Sequence, residues 1–449
     1  MACISAALDR IKSNPLFALD RQTIERLCIE HGYEWRDREL DPATTIAIFL
    51  QQVAHGNVSC CEARQIAGAP ATVQAYCKAR ARLPLKVYQA LLAAVVEAVV
   101  PLTRRSEHLW HGHRTCHVDG SSISMADTPE LQEAFGMPSG QKEGCGFPAA
   151  HLMVLFSAPT GLLLESWMSP LRTGDVAQAS DAHGHLCPGD IVIGDDTFAG
   201  YAHLAALVKA DLHGLFPTYH LRIVDFTKGR PHTVEGNNAV AGLPRSRWIK
   251  SLGREDQLVE YFKTKARPRY MSKEEYDALP ASIIVRELRR TVRRPVLGKI
   301  TLTMVTTLID PVAYPAADLL ELRLQRWDVE TNLGHLKTTM KLDVLRCQSE
   351  AGVRKEMAVF SLVYNLVRCV MLEAARRQDV PVRQISFADT LYWMRYAAPN
   401  APMPAMKVNP DRPGRQEPRC RKRRPKQYDL MNKPRAEMKK DLKNKRKTR

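Results

Sequence analysis

The stretch LLELRLQRWDVETNLGHLKTTMKL, residues 319–342, has no proline and a single glycine, and it predicts one helix. At 3.6 residues per turn, one stripe of this helix carries Arg323, Arg326, Glu330 and Lys337. The adjoining stripe is apolar and predicts packing on a core: Leu322, Val329, Leu333, Leu336 and Met340. One carboxylate among three cations favours a face that meets a polyanion and a metal. A plain Arg326–Glu330 ion pair on an amphipathic helix explains the helix alone equally well.

The composition indicates a globular protein with an anionic partner. The 449 residues are enough for a large core and two or three domains. The net charge of +17 favours nucleic acid or another anionic surface. Residues 407–449 hold 18 lysines and arginines against 5 acids, so most of the excess lies in this tail. Such an end predicts disorder, and either phosphate binding without sequence preference or a merely solvated segment.

The cysteines and apolar runs favour a reducing cytoplasm without a membrane. The eleven cysteines follow no repeat, which argues against a disulfide framework. The N-terminal residues carry charges where a signal peptide needs an apolar core, and the longest apolar run, Leu91–Leu102, is too short to span a bilayer. Four histidines and a cysteine between 108 and 117 match no common zinc spacing.

Residues 1–110 predict a helical domain. Helices are expected from Asp41-Pro42, from about Ser59, over 72–82 and over Leu85–Val100. A small basic patch lies beside the end of the third helix and the start of the fourth: Lys78, Arg80, Arg82 and Lys86. This patch is either a DNA-contacting surface or a solvated basic turn.

Residues 114–225 predict an α/β arrangement with mixed strand directions. The expected elements are a strand Thr115–Val118, a hairpin of His151–Ser157 and Leu162–Met168, a strand Asp190–Gly194, a helix Ala202–Ala210 and a strand Tyr219–Val224. Two of these strands are followed by acids, Asp119 and Asp195.

Acids at the ends of strands collect at one edge of such a sheet. Either Asp119 or Asp195 alone is more often a turn residue, but together with Glu330 they form a candidate site. Three carboxylates are hard oxygen ligands that suit one or two Mg²⁺ ions and do not suit zinc. Paired Mg²⁺ ions activate the attacking oxygen and stabilise the leaving oxygen in phosphoryl displacement.

Three motifs in this order resemble a known family. Arg326, Glu330 and Lys337 have three and then six residues between them, and Arg326 precedes Trp327. Residues 195–201 read DDTFAGY, and Asp119 lies in HVDGSS. These motifs resemble the DDE transposases of bacterial insertion sequences, in particular the insertion sequence four family. That family has a Tyr-Arg-Glu-Lys motif with this spacing and a second-acid motif Asp-Arg-x-Phe-x-x-Tyr; here Arg323 stands for the tyrosine and Asp196 for the arginine.

The resemblance, which covers about residues 40–390, implies a ribonuclease H-like core and an enzyme. It implies that Asp119, Asp195 and Glu330 are catalytic and hold two Mg²⁺ ions, for which Mn²⁺ can substitute. It assigns DNA contact to Arg323, Arg326, Trp327, Lys337 and Tyr201. The implied partner is double-stranded DNA, both transposon ends and target, bound by a homodimer on paired ends in association with the nucleoid.

The chain is thus predicted to be an α/β protein with a ribonuclease H-like mixed-sheet core. The expected parts are a helical N-terminal DNA-binding domain (1–110), the catalytic core (111–225 and 319–397), a β-rich insertion (226–318) and a basic disordered tail (398–449). Strands in the insertion are expected at Ser246–Ile249, Gln257–Phe262, Ser282–Leu288 and Lys299–Leu308. Trp248 there either stacks on an unpaired base or is buried in the sheet.

Two other functions remain open from the sequence. A domesticated or decayed relative would bind DNA without cutting it, although an intact acidic triad argues against this. A structure-selective nuclease on the same fold would cut without joining strands.

Overall fold

A mixed nine-stranded sheet runs through the protein in the computed structural model, which describes residues 19–36, 38–139, 142, 144–233, 242–294, 298–397, 402–410 and 433–447. The strands are β1 (Thr115–Ser124), β2 (Ala149–Ser157), β3 (Leu163–Pro170), β4 (Ile191–Ile193), β5 (His213–Pro217), β6 (Ser246–Gly253), β7 (Asp256–Phe262), β8 (Ser282–Arg294) and β9 (Gly298–Thr306). Their order across the sheet is β3-β2-β1-β4-β5-β9-β8-β7-β6. The pairs β1–β4 and β4–β5 are parallel and the other pairs are antiparallel, so the predicted mixed α/β sheet is confirmed.

Two strand predictions need correction. The predicted strand Tyr219–Val224 is wrong, because the fifth strand is His213–Pro217, whose Leu215 and Phe216 are fully buried while Leu221 is 69% exposed. The first strand continues to Ser124 and does not stop at Val118, because Ile123 is buried like the residues before it. Asp119 therefore lies within β1 and not beyond its end.

The helices of the described residues surround this sheet. They are α1 (Arg21–Glu30), α2 (Pro42–Ala54), α3 (Cys60–Ile66), α4 (Val73–Arg82), α5 (Leu85–Thr103), α6 (Pro129–Phe135), α7 (Asp175–His183), α8 (Tyr201–Lys209), α9 (Lys273–Asp277), α10 (Ala316–Leu324), α11 (Trp327–Gly334), α12 (Glu350–Gln378), α13 (Phe387–Tyr396) and α14 (Arg435–Lys447). The four helices predicted before residue 104 are confirmed. Asp41 caps α2 by accepting the backbone N–H of Thr44 at 2.7 Å.

The core lies on both faces of the sheet. Residues at alternate positions of β2, including Leu152 and Val154, pack with α2, α5 and α12, while Met153 and Leu155 face α8 on the other side. Asp119 pairs directly with Val154, so it lies on the face covered by α11 and α12.

The stretch 319–342 is not the single helix that its sequence predicts. It forms α10, α11 and a π-helical turn at His335–Thr339. Between α10 and α11 the chain tightens, since the N–H of Arg326 donates to the carbonyl of Arg323 three residues back. The apolar stripe predicted for this stretch is buried as expected. Propensity does not report such a break, which lies where Arg326 contacts β1.

The predicted insertion is β-rich, and its strands β6–β9 continue the same sheet through the pairing of β9 with β5. The predicted disorder does not extend over the whole tail. Residues 402–410 pack against the protein, with Met406 buried, and α14 is helical. The rest of the predicted tail, 398–401, 411–432 and 448–449, lies outside the described residues. The division into domains stays a prediction.

Two helices, α5 and α12, are long and apolar enough to cross a membrane by length and composition alone. The apolar window of α12 is 94% buried inside the protein, and α5 packs against it. Core helices of globular proteins have the same composition, so these two helices are weak grounds for a membrane segment.

Candidate functional site

Asp119 and Asp195 occupy equivalent positions on neighbouring parallel strands. The last residues paired between β1 and β4 are His117 and Ile193, and each acid follows two residues later. Burial, helped by the nearby negative charges of Asp195 and Asp175, raises the pKa of Asp119 to about 6. The positive charge of Arg326 opposes this rise. The sheet thus brings two distant acids into one electrostatic site.

Arg326 connects the third acid to this pair. Its Nη1 lies 3.4 Å from Oδ2 of Asp119, and its Nη2 lies 3.2 Å from Oε1 of Glu330. The side chains of Arg326 and Asp119 are each 16% exposed, whereas that of Glu330 is 45% exposed. Glu330 therefore stands at the open side of the site, and Arg326 fills the space between the two carboxylates.

The structure separates the two adjacent acids of the DDTFAGY sequence. Asp195 accepts the N–H of Thr197 at 3.0 Å and begins a single 3₁₀ turn at Asp196–Ala199. Asp196 instead pairs with His220, whose Nδ1 is 3.0 Å from Oδ2. Asp195 is thus the acid that stands with Asp119.

Lys337 lies on the same face of β1. Its Nζ donates to Oγ of Ser121 and to the carbonyl of Ser122, both at 2.8 Å. Ser121 is two residues after Asp119, so their side chains share a face of the sheet. Desolvation lowers the pKa of Lys337.

Arg323 is a half-buried cation of the site. Burial lowers its pKa to about 10, with Arg326 adding to the effect and Asp195 and Asp119 opposing it. Its Nε is buried and has no hydrogen-bond partner among the residues that the structure describes. A half-buried, incompletely paired guanidinium near two carboxylates is suited to an anionic ligand.

His117 is a neighbour of the site that the sequence did not single out for it. It is fully buried on the Asp119 face of β1, and within the described chain both ring nitrogens lack hydrogen-bond partners. Burial and the charges of Arg326 and Arg323 lower its pKa to about 3, so the ring is neutral. Its position two residues before Asp119 was the available signal.

Two other predicted DNA contacts fall in different surroundings. Trp327 is 65% exposed beside Arg326. Tyr201 is only 6% exposed, and its hydroxyl donates to the carbonyl of Pro280, so the structure does not bring it to the surface with the acids. Trp248 is half-buried in β6.

The acidic residues suit a hard divalent cation by their chemistry. Asp119 is a desolvated carboxylate short of positive charge, and Asp195 and Glu330 offer further oxygen ligands. As the side chains stand, no three histidines, cysteines or acids within the described ranges form a ready metal cluster. The counter-charge between Asp119 and Glu330 is the guanidinium of Arg326.

Comparison with known proteins gives one family match. The family model described as "Transposase DDE domain" matches residues 110–366, more than half of the chain, and it spans all three acids.

The individual proteins that match the chain have low sequence identity to it. The chain is 24% identical over 319 residues to the transposase InsG for insertion sequence element IS4 of Escherichia coli (strain K12). This match covers 68% of the chain and 65% of the relative. The chain is also similar to the cryo-EM structure of the piggyBac transposase synaptic complex with hairpin DNA, with a TM-score of 0.43 and 7% identity over 87% of this chain and 84% of that one.

Proposed function

The chain belongs to the DDE transposase family, and from this premise we propose that it binds the terminal inverted repeats of an insertion sequence and cuts and joins DNA there. The observation that carries the proposal is that Asp119 and Asp195 each follow, by two residues, the last pair between the parallel strands β1 and β4, with Glu330 tied to Asp119 by Arg326. We propose that the strands β1–β5 form the ribonuclease H-like core that holds them.

Asp119, Asp195 and Glu330 are the residues that would hold two Mg²⁺ ions, or Mn²⁺ in their place. When bound, these ions supply the charge that activates the attacking oxygen and stabilises the leaving oxygen. Before the ions bind, Arg326 holds Asp119 and Glu330 together. After they bind, Arg326 remains as a cation beside the cleaved phosphate.

The other cations of the site would position the DNA backbone. Lys337 is oriented by Ser121 and Ser122, so its ammonium group is fixed on the face of Asp119. Arg323 replaces the family tyrosine, and its unpaired Nε supports a role as a phosphate ligand. Trp327 is exposed next to Arg326, which supports contact with the DNA near the cleaved end.

The outer face of α4 supports recognition of the repeat. Its inner face is fixed, because Tyr76 donates to Gln52 at 2.9 Å and Arg80 lies 4.5 Å over the ring of Phe49. Apart from Ala81, the exposed residues of α4 form a stripe at intervals of four: Gln74, Lys78 and Arg82. Glutamine pairs with adenine, and lysine and arginine pair with guanine, in the major groove. We therefore assign base reading to this stripe; Arg80, part of the basic patch, has a packing role.

A groove of about 1,070 Å³ adjoins that stripe. The rings of Tyr33 and Trp35 are stacked in it at 6.4 Å. Cations outnumber acids in its charged lining: Arg36, Arg38, Lys78 and Arg82 against Glu34 and Glu39. Aromatic rings among cations suit the sugar–phosphate backbone and the bases of DNA. This supports the N-terminal helices as the DNA-binding part of the chain.

Strand cleavage tests the proposal. The substrate is supercoiled DNA bearing the flanking inverted repeats, with Mg²⁺. Glu330→Gln and Asp195→Asn are expected to lose cleavage by a factor of roughly 10³ or more, because each removes a proposed metal ligand. Asp196→Asn is the matched control and keeps it, since Asp196 pairs with His220. Equal loss in both aspartate variants would contradict the assignment.

A catalytically inactive DNA-binding relative is the second candidate, and no cleavage by the wild-type chain would favour it. Cleavage without joining would favour a nuclease. We further propose that the protein acts as a homodimer on paired ends in the bacterial cytoplasm, at the nucleoid, as the family resemblance implies.

A further inference from the structure

The basic helix α14 is attached to the protein at a defined place. Arg435, its first residue, pairs with the carboxylate of Asp127 and donates to the carbonyl of Gly146 at 3.0 Å. The same guanidinium lies 4.2 Å over the ring of Phe147. Pro434 packs against Gly144, where a Cβ would stand 3.0 Å from Cβ of Pro434 and where the φ of 71° disfavours a side chain. Both ends of the connection between β1 and β2 thus hold the start of α14.

This attachment lies close in the chain to the acidic site. Asp127 is three residues after the end of β1 and eight residues after Asp119. An extended chain advances about 3.3 Å per residue, so Asp127 lies within about 26 Å of Asp119. The segment that follows Lys337 runs beside the same end of β1, since Ser124 exchanges backbone hydrogen bonds with Asp343 and Leu345. The attachment therefore lies beyond the same end of β1 towards which Ser121 and Ser122 hold Lys337.

The charge of α14 is directed to solvent. Lys439, Lys440 and Lys443 are exposed, and Arg435, Lys439 and Lys443 follow one another at intervals of four. The helix has 13 residues and extends about 20 Å, which is about the diameter of a DNA duplex. Its exposed acids are Glu437 and Asp441, the second of which pairs with Lys433.

We propose that α14, held by Arg435 against the β1–β2 connection, is a phosphate-binding arm for duplex DNA beside the acidic site. This inference rests on the proposed function and adds to it the place where the flanking DNA duplex is bound. A tail that binds DNA from a free linker has no fixed register, whereas a docked helix holds the flanking duplex at a fixed position relative to the acids. The occupant is duplex DNA, because the exposed lysines complement a regular row of phosphates.

Asp127→Arg distinguishes a docked arm from a free tail. The variant replaces a negative charge with a positive one, so a free tail predicts equal or tighter DNA binding. A docked arm predicts weaker binding, because the new guanidinium at position 127 repels Arg435 and releases the helix. The probe is a duplex of about 30 base pairs without the element's repeats, in EDTA, with the full chain. We expect the dissociation constant to rise roughly 5- to 20-fold in about 0.1 M salt.

Three further variants complete the test. Glu133→Arg makes the same charge change at an exposed position of α6 and is expected to bind no more weakly than wild type. Asp127→Arg with Arg435→Asp restores the pair and is expected to restore affinity. Replacing Lys439, Lys440 and Lys443 by Gln is expected to lower the slope of log K against log salt by about 2 to 3.

The outcomes separate the two levels of inference. Unchanged or tighter binding by Asp127→Arg overturns the docked arm and leaves the proposed function intact. A wild-type chain that fails to bind this duplex or one bearing the repeats overturns the proposed function itself.

Discussion

An ionised Asp119 destabilises the folded chain, because burial removes water from the carboxylate and Asp195 adds a negative charge nearby. A rise of its pKa from 3.8 to about 6 corresponds to at most about 3 kcal/mol at neutral pH. The contact with Arg326 offsets only part of the free energy that the carboxylate loses with its hydration. Asp119 is therefore expected to lower the stability of the folded chain while providing a carboxylate that binds a cation.

Asp119→Asn is expected to stabilise the chain in EDTA by about 1–2 kcal/mol at pH 7–8, while abolishing cleavage. The cost of the ionised carboxylate is fully present above pH 6, shrinks as the pH falls through the folded pKa and is absent below 3.8. The gain over wild type should therefore fade between about pH 6 and about pH 4. Thermal unfolding at several pH values measures it. Asp196→Asn serves as the comparison, and a loss of stability in both variants would contradict the argument.

At the level of single side chains, sequence spacing was informative where chemistry fixes the residue type. Asp119, Asp195, Glu330, Arg326 and Lys337 could be selected in this way, and the structure brings them together. Their catalytic roles remain proposals. Burial could not be predicted from spacing, since Tyr201 is enclosed by residues far away in the chain, such as Pro280. The same limit applies to His117 and Arg323, whose surroundings are set by the packing of α10 and α11 on β1.

Among the secondary-structure elements, those with a strong apolar pattern were predicted correctly, and the exceptions have tertiary causes. The hairpin β2–β3 and the strand β4 follow from their apolar runs. The break between α10 and α11 cannot be predicted in this way. A 3₁₀ junction and a π turn differ from an α-helix only in whether each N–H donates to the carbonyl three, four or five residues back. The junction carries Arg326 and the π turn carries Lys337, so both irregular turns hold cations of the site.

The outer face of α4 gives a prediction for this element. Gln74→Ala is expected to reduce discrimination between the true repeat and a single-base variant by about 1–3 kcal/mol at one position, because a bidentate base contact is lost. Affinity for unrelated DNA should change little. Lys86→Ala removes a charge from the same basic patch but outside the stripe, and it should weaken binding to all sequences equally. Binding to a panel of repeat variants measures both; unchanged discrimination in Gln74→Ala would exclude base reading by this residue.

For the molecule as a whole, the helical front and the catalytic part share one core. Glu356 of α12 is buried and accepts the side-chain amide of Asn57 together with the backbone N–H groups of Arg346 and Cys347. Residues of α2 and α5 belong to the same apolar cluster as α12. Under the proposed function, this rigid connection fixes the distance between the surface of α4 that reads the repeat and the site of cleavage at Asp119.

Glu356→Ala tests that connection. The change leaves buried donors of both parts unpaired, so it is expected to lower the free energy of unfolding by about 3 kcal/mol. If the parts form one cooperative unit, amide hydrogen exchange should accelerate equally in α2 and α12. Glu350→Ala, at the exposed first turn of the same helix, should have an effect below about 0.5 kcal/mol. Faster exchange in α12 with unchanged protection of α2 would instead indicate that residues 1–110 fold as a separate domain, in which case the spacing between repeat recognition and cleavage must be set by the DNA.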